Sequence, residues 1–133
     1  MPEGSARVFS LAEANELVPA VVEFTAKVVE NLNQIRRRYK IESEEMTSSM
    51  PESAVKEIEQ LLREWSEWIL ELGAYPKGYF TVDFQSMDPE LRYCWSFGEN
   101  KISFTHKVWE NFSHRRPLAA GIEPSMDHLK WVN

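Results

Sequence analysis

Apolar residues in the first half of the chain recur with the spacing of amphipathic helices. One stripe repeats every seven positions and comprises Leu11, Val18, Thr25, Leu32 and Tyr39. A second stripe comprises Ala54, Ile58, Leu61, Trp65, Trp68 and Leu72. Because charged residues occupy the opposite faces, each stripe predicts a helix that buries one side. The pattern therefore predicts a long antiparallel helical hairpin over residues 10–73.

Local signals mark the ends of both predicted helices. Ser10 and Glu13 are spaced as a capping box, in which each side chain accepts a bond from the other residue's backbone N–H. Ser49 and Glu52 repeat this spacing before the second helix. Gly73 supplies a C-terminal stop, because glycine readily adopts the left-handed conformation that ends many helices. These signals place the turn of the hairpin near residues 47–52.

The second half of the chain alternates apolar and polar residues with the period of β-strands. Three segments show this alternation and span residues 79–84, 91–97 and 102–106. Turn-forming residues separate them, at 86–89 and 98–100. We therefore expect an antiparallel three-stranded β-meander whose apolar face packs on the helices.

Together these elements predict an α+β fold, in which the long antiparallel helical hairpin is followed by the small β-meander and a short C-terminal helix or tail. Residues 1–118 are predicted to form a single domain, with the hairpin over 10–73 and a β-rich block over 78–118. Residues 119–133 form the predicted tail. There, Met126, Leu129 and Trp131 would pack a short helix on a neighbour, and an unstructured tail is the alternative.

Length and composition fit one globular domain, since 133 residues with 43% hydrophobic and 27% charged can build a core. No apolar run approaches the roughly 20 residues that a membrane span needs. The first residues also lack the features of a signal peptide. The single cysteine, Cys94, cannot form an internal disulfide, which fits a reducing compartment. We expect a cytoplasmic protein that does not associate with membranes.

The net charge of −6 argues against nonspecific binding to nucleic acid, which needs positive patches. One cationic run, Arg36–Lys40, falls inside the first predicted helix and precedes acidic residues. We interpret this run as a solvated helix face with intrahelical ion pairs. No nucleic-acid partner is therefore expected.

The predicted hairpin is too long for the rest of the chain to cover. Its helices would be roughly 50 and 33 Å long, whereas a compact domain of this length has a radius of gyration of about 14 Å. Two hairpins forming a four-helix bundle in a homodimer would bury the stripes. The alternative is that the β-rich block folds back over them. The residues expected at the oligomer interface are Val21, Val28, Leu32, Ile35, Leu61, Trp65 and Trp68.

His106 is the residue best suited to act as a base or a ligand. It ends the third predicted strand, on the face that also carries Ile102 and Phe104. It is either a buried structural histidine or a base or metal ligand, and the second role needs an orienting partner. The candidate partners are Glu99, Asp83, Arg92 and Arg115.

Two further patterns involve possible metal ligands. His106, Glu110 and His114 are four residues apart and would share one face of a helix, which suits metal binding. Cys94 lies on the less apolar face of its strand. The simpler interpretation of Cys94 is a small structural residue of that strand. The chain has no glycine-rich phosphate loop, nucleophile elbow or C-x-x-C pair.

The chain resembles a bacterial family of unknown function that is sometimes labelled division-initiation-related. The resemblance runs from residue 7 to 118 and rests on Arg7-Val8-Phe9-Ser10-Leu11-Ala12-Glu13-Ala14-Asn15, Leu17-Val18-Pro19, Val82-Asp83-Phe84, Cys94-Trp95, Gly98-Glu99, Ile102, His106, Phe112, Arg115 and Pro117-Leu118. It implies Trp95, Glu99, His106 and Arg115 as candidate ligand-binding residues. Family members tend to have acidic residues just after the histidine, where this chain has Lys107 and Trp109. That departure argues against a metal site formed by His106 and nearby acidic residues.

These observations support two hypotheses from different classes. The first is a homo-oligomerising interaction or adaptor domain, with another protein as a possible partner and no catalytic residues. The second is a metal- or small-molecule-dependent enzyme or sensor whose site surrounds Glu99, His106 and Arg115, with His106 as the metal ligand. The sequence identifies no cofactor for either.

Overall fold

The computed structural model describes residues 7–41, 50–78 and 80–118. Its helices are α1 (Leu11–Tyr39) and α2 (Glu52–Glu71), with a short 3-10 helix over Phe112–His114. Its strands are β1 (Val8–Phe9), β2 (Tyr75–Lys77), β3 (Thr81–Ser86), β4 (Leu91–Ser96), β5 (Phe104–Lys107) and β6 (Arg116–Pro117). The predicted α+β composition and both predicted helices are therefore present, whereas the predicted tail lies outside the described residues.

The helix ends largely follow their local signals. The backbone N–H of Glu13 donates to Ser10 Oγ at 3.0 Å, and that of Ser10 donates to Glu13 Oε1 at 2.9 Å, so the capping box is confirmed. Gly73 follows α2 with a φ of +93°, a conformation that favours glycine. Pro51 occupies the N-cap position of α2 without a side-chain cap. The second predicted capping residue, Ser49, lies outside the described residues.

The helical hairpin is held together by large side chains that are buried or half-buried between its helices. The indole N–H of Trp65 donates to Thr25 Oγ1 at 2.9 Å inside the interface between α1 and α2. Phe24 stacks on Trp68 with ring centroids 4.5 Å apart. Apolar residues from one face of the sheet complete the same core, chiefly Val82, Phe84, Tyr93 and Trp95. The apolar stripes of the hairpin are thus buried in large part by the chain's own sheet.

The sheet differs from the predicted meander, because it has six strands and mixed direction. Strands β3, β4 and β5 are antiparallel neighbours, as in a meander, and β6 extends this side. On the other side of β3, β1 pairs parallel and β2 pairs antiparallel. The predicted three-stranded antiparallel meander is therefore wrong. Strands of two or three residues carry too little alternation to be recognised, and β1 is about 75 residues from its partner along the chain.

The four-helix bundle expected from the sequence is also wrong, because the described residues form only two α-helices. Of the expected interface residues, Val21, Val28, Ile35 and Trp65 are buried within one chain. The others, Leu32, Leu61 and Trp68, are half-buried. A homodimer stays a prediction. Neither α-helix is long and apolar enough to cross a membrane, as far as the described residues go.

Candidate functional site

Three side chains with metal-ligating atoms lie together on the sheet face that points away from the helices. Asp83 on β3 is directly opposite Cys94 on β4. His106 on β5 is two residues from Phe104, the partner of Cys94. Because side chains alternate between the faces of a sheet, these three share one face. The exposed fractions of Asp83, Cys94 and His106 are 2%, 0% and 3%, so the cluster is closed to solvent.

The imidazole of His106 lies between two oxygen acceptors. Its Nδ1 is 2.7 Å from the Lys107 carbonyl oxygen, and its Nε2 is 3.0 Å from Asp83 Oδ1. A carbonyl only accepts, so Nδ1 must carry the hydrogen. The Nε2 lone pair of a neutral ring would then face a carboxylate lone pair. This arrangement requires a positive charge between Nε2 and Asp83, either a proton or a metal ion.

The protonated form of His106 is accordingly favoured in the metal-free protein. The hydrogen bond to Asp83 is the main cause that raises the pKa of His106, and the Lys107 carbonyl adds to it. Burial and the positive charge of Arg92 act in the opposite direction. The resulting imidazolium–carboxylate pair satisfies both buried side chains.

The thiol of Cys94 is neutral in the same state. Burial is the main cause that raises the pKa of Cys94 to about 12, and the Asp83 carboxylate adds to it. Arg115 lowers this pKa through a hydrogen bond and its charge, but only in part. Since the thiolate is the reactive form of cysteine, this thiol is not an activated nucleophile.

The cluster offers one nitrogen, one oxygen and one sulfur donor. These atoms all lie within 4.8 Å of one another. Zinc bonds of about 2.0–2.3 Å at tetrahedral angles put ligand atoms about 3.3–3.6 Å apart. A contraction of about 1 Å would therefore bring the three donors to bonding distance of one ion. The Nδ1 bond to a backbone carbonyl is the arrangement that orients metal-bound histidines.

Trp95, Glu99 and Arg115, three of the residues implied by the family resemblance, form a separate hydrogen-bonded group, here called the Glu99 clamp. Glu99 accepts with its carboxylate from the Ser96 backbone N–H at 2.8 Å and from the Arg115 guanidinium at 2.9 Å. Its carbonyl oxygen accepts from the Trp95 indole N–H at 2.8 Å. The four residues implied by the family resemblance are thus divided, because Trp95, Glu99 and Arg115 are connected directly while His106 pairs with Asp83.

Arg115 nevertheless connects the clamp to the buried cluster. Its guanidinium lies 4.0 Å from the ring centroids of both Phe104 and Phe112. Its positive charge is also close enough to Cys94 to lower the pKa of that thiol. Arg115 thus places a delocalised cation near Cys94, and this cation forms an ion pair with Glu99.

The helical triplet of His106, Glu110 and His114 is not formed. His106 lies in β5, and Glu110 accepts from the Lys107 backbone N–H while binding Arg116 at 2.7 Å. These contacts, first that to Arg116, lower the pKa of Glu110 to about 2. His114 is exposed and bonded to Asn111.

The prediction that His106 shares a face with Ile102 is wrong. Strand β5 begins at Phe104, so strict alternation does not extend back to Ile102. Ile102 belongs to the core shared with the helices, and its backbone N–H donates to Asn15 on α1. Phe104 and His106 lie on the opposite face.

The sequence alone offers Asp83 as one of four candidate partners for His106 and indicates only a small strand residue at Cys94. The positions of the turns between β3 and β4 and between β4 and β5 could have identified this cluster. Asp83 and Cys94 are equally distant from the turn at Asp88–Pro89, and Cys94 and Phe104 are equally distant from Glu99. Since the centre of a turn defines cross-strand partners, these distances identify the register that unites the cluster.

Comparison with known proteins identifies the family of this chain. The family of uncharacterized conserved proteins DUF2203 matches residues 7–118, the same residues that carry the resemblance described above. No curated protein and no solved structure matches the chain. The match does not test the bacterial origin or the division-initiation label.

Proposed function

Because the chain belongs to DUF2203, a family of uncharacterized conserved proteins, we propose its function from its own residues. It binds a zinc-class metal ion through Asp83, Cys94 and His106. One observation carries this proposal. Both ring nitrogens of His106 face oxygen acceptors, with a cysteine sulfur within 4.8 Å. A metal ion on Nε2 would supply the positive charge that this geometry demands.

The donor atoms favour a particular class of metal. Thiolate and imidazole are borderline-to-soft donors that suit zinc, cobalt and iron, whereas magnesium and calcium prefer oxygen alone. Two anionic ligands, Asp83 and the thiolate of Cys94, would balance the charge of one divalent ion. Three protein ligands leave one coordination position for a further donor.

The burial of all three ligands supports a retained ion over a site of substrate turnover. A catalytic metal needs an accessible coordination position, whereas Cys94 and Asp83 have almost no exposed surface. An ion here would connect β3, β4 and β5 in the centre of the sheet. Metal binding would then contribute directly to the stability of the fold, as in a structural or metal-sensing domain.

Metal binding would displace protons from the site. The ion takes the place of the proton on His106 Nε2 and of the thiol proton on Cys94, so about two protons leave for each ion bound. Zinc affinity should therefore increase with pH across the neutral range. Arg115 would remain beside the sulfur and stabilise its charge.

Cobalt(II) titration of the metal-free protein tests the proposal. Tetrahedral cobalt bound to a thiolate gives charge-transfer and d–d absorption bands, and we expect one equivalent to produce them. Cys94→Ser should remove the charge-transfer band, and His106→Gln should weaken binding about 10- to 100-fold or more. His114→Gln is the matched control, since His114 is an exposed histidine outside the cluster.

Thermal unfolding provides a second readout. A ligand that binds only the folded state raises the unfolding midpoint by mass action, so zinc should stabilise the wild-type protein and have little effect on Asp83→Asn. Asp88→Asn, at another buried aspartate, should keep the response. Equal zinc responses in wild-type protein and Asp83→Asn, or no cobalt spectrum, would overturn the proposal.

The interaction or adaptor role expected from the sequence stays a prediction. Its motive was an apolar stripe too long for one chain to cover. That motive is weaker here, because the sheet and the two helices bury much of the stripe in one copy.

A further inference from the structure

A second feature that suits ligand binding lies away from the cluster of Asp83, Cys94 and His106. It is a cavity of about 650 Å³ at the hairpin, bounded by α1, α2 and the segment that joins β2 to β3. Its walls are largely apolar and include Leu32, Ile58, Leu62, Trp65 and Phe80. Small-molecule sites commonly have volumes of roughly 300–1,000 Å³. This cavity therefore has the size and lining of a binding site for the apolar part of a small molecule.

The charges at the cavity are opposite to those of the whole protein. The chain has 21 acidic residues against 15 lysines and arginines. Among the described residues that line the cavity, the charged ones are Arg36 and Lys77, and both are cationic. Arg36 comes from α1, and Lys77 ends β2. An apolar cavity with two cations in an acidic protein selects for an anion with an apolar chain.

We propose that this cavity binds an amphipathic organic anion, such as a medium- or long-chain carboxylate. The apolar chain would lie against Leu62, Trp65 and Phe80, and the carboxylate would contact Arg36 and Lys77. A guanidinium and an ammonium both form charge-assisted hydrogen bonds with carboxylates. This cavity is separate from the proposed metal site, because none of Asp83, Cys94 and His106 lines it.

Calorimetric titration with decanoate tests this assignment. We expect a single saturable site and binding about 15-fold weaker for octanoate, which has two methylenes fewer, because each buried methylene contributes roughly a factor of four. Decanol should bind more weakly than decanoate, and decyltrimethylammonium should not compete with it. Equal binding of the cationic and anionic ligands would overturn the proposal.

Variants locate the site on the protein. Lys77→Gln and Arg36→Gln should each weaken decanoate binding about three- to tenfold. Lys56→Gln removes a lysine on α2 that does not line the cavity and should leave binding unchanged. Gly78 lines the cavity, so Gly78→Leu should narrow it and weaken decanoate binding. The larger side chain can be accommodated, because a Cβ at Gly78 meets no atom within 4 Å.

Two controls keep the result interpretable. Circular dichroism and thermal unfolding must show that each variant is folded, and Gly78→Leu and Lys77→Gln change exposed residues where folding should persist. Light scattering must follow the oligomeric state at the same concentrations. Absence of decanoate binding, or a dimer that Gly78→Leu dissociates, would overturn the proposal and assign the cavity to another occupant, in the second case a second copy of the chain.

Discussion

The imidazole of His106 concentrates the chemistry of this protein in one side chain. Its two nitrogens face the Lys107 carbonyl and the Asp83 carboxylate at 2.7 and 3.0 Å. A charged pair in a buried position is favourable only while both partners are present, because each alone would be an uncompensated buried charge. The pair is therefore a point at which a single substitution should have a large effect.

Replacing Asp83 with asparagine should lower the pKa of His106 in the metal-free protein. The carboxylate is the main cause of the raised pKa, and an amide cannot replace its charge. The free energy of unfolding should fall by about 3–5 kcal/mol, the typical cost of breaking a buried pair. NMR titration of the His106 ring protons and urea denaturation measure the two effects.

Asp88→Asn is the control for that substitution, because Asp88 is equally buried but does not contact His106. An unchanged pKa of His106 in Asp83→Asn would contradict the assigned pairing.

The interface between α1 and α2 depends on one buried hydrogen bond as well as on apolar contacts. The Trp65 indole is large and its N–H needs an acceptor, which Thr25 supplies from the facing helix. This bond explains why a threonine occupies a position in the apolar stripe of α1.

Thr25→Val should lower the free energy of unfolding by about 1–3 kcal/mol, because the shape is retained while the Trp65 N–H loses its acceptor. Thr25→Ser retains the hydroxyl and should keep the hydrogen bond. Urea denaturation of the two variants checks this difference. Equal stability of Thr25→Val and wild-type protein would mean that the indole finds another acceptor.

Two glycines in turns test how local conformation and packing combine. Gly73 and Gly98 both have positive φ angles, of +93° and +106°. A Cβ at Gly73 would lie 2.6 Å from side-chain carbons of Arg7, whereas one at Gly98 would meet no atom within 4 Å. The backbone N–H of Arg7 donates to the Gly73 carbonyl at 3.0 Å, so a shift there affects the segment leading into β1.

Both Gly→Ala substitutions should destabilise the fold, by about 1–3 kcal/mol for backbone strain alone. Gly73→Ala should be the more harmful, because the alanine also displaces Arg7. Thermal unfolding of the two variants gives the comparison. A larger loss in Gly98→Ala would contradict this account.

At the scale of the whole molecule, the metal-free protein should lose stability as pH rises. The folded-state pKa of His106 is raised above 6.5, so its contribution is fully present below about pH 6.5 and is lost as pH rises through the raised pKa. The pKa of Cys94 is raised from 9.0 to about 12. Stability should therefore fall further between these values, because the unfolded chain releases the thiol proton first.

Urea denaturation in the presence of a chelator, over a series of pH values, measures this dependence. Cys94→Ser should reduce the loss above pH 9, and His106→Gln should reduce the loss near neutrality. Stability that increases with pH over the same range would show that other groups dominate.

The candidate site was only partly predictable, and particular residues show why. Trp95, Glu99, His106 and Arg115 each have a bonded partner. However, the pairing of Glu99 with Arg115 and of His106 with Asp83 depends on strand register. A shift of one residue in β5 exchanges the faces of the sheet. Strict alternation from Ile102 to His106 predicts one shared face, but β5 begins only at Phe104, so the alternation assigns His106 to the wrong face.

Features that act over a few residues can be predicted from the sequence alone, namely the capping box at Ser10, the stop at Gly73 and the apolar stripes of both helices. These signals depend on hydrogen bonds and periodicities within one element. The pairing of β1 with β3 and the proximity of Asp83, Cys94 and His106 follow only from the packed fold. Such contacts join residues far apart along the chain, and many registers satisfy the same local pattern until packing selects one.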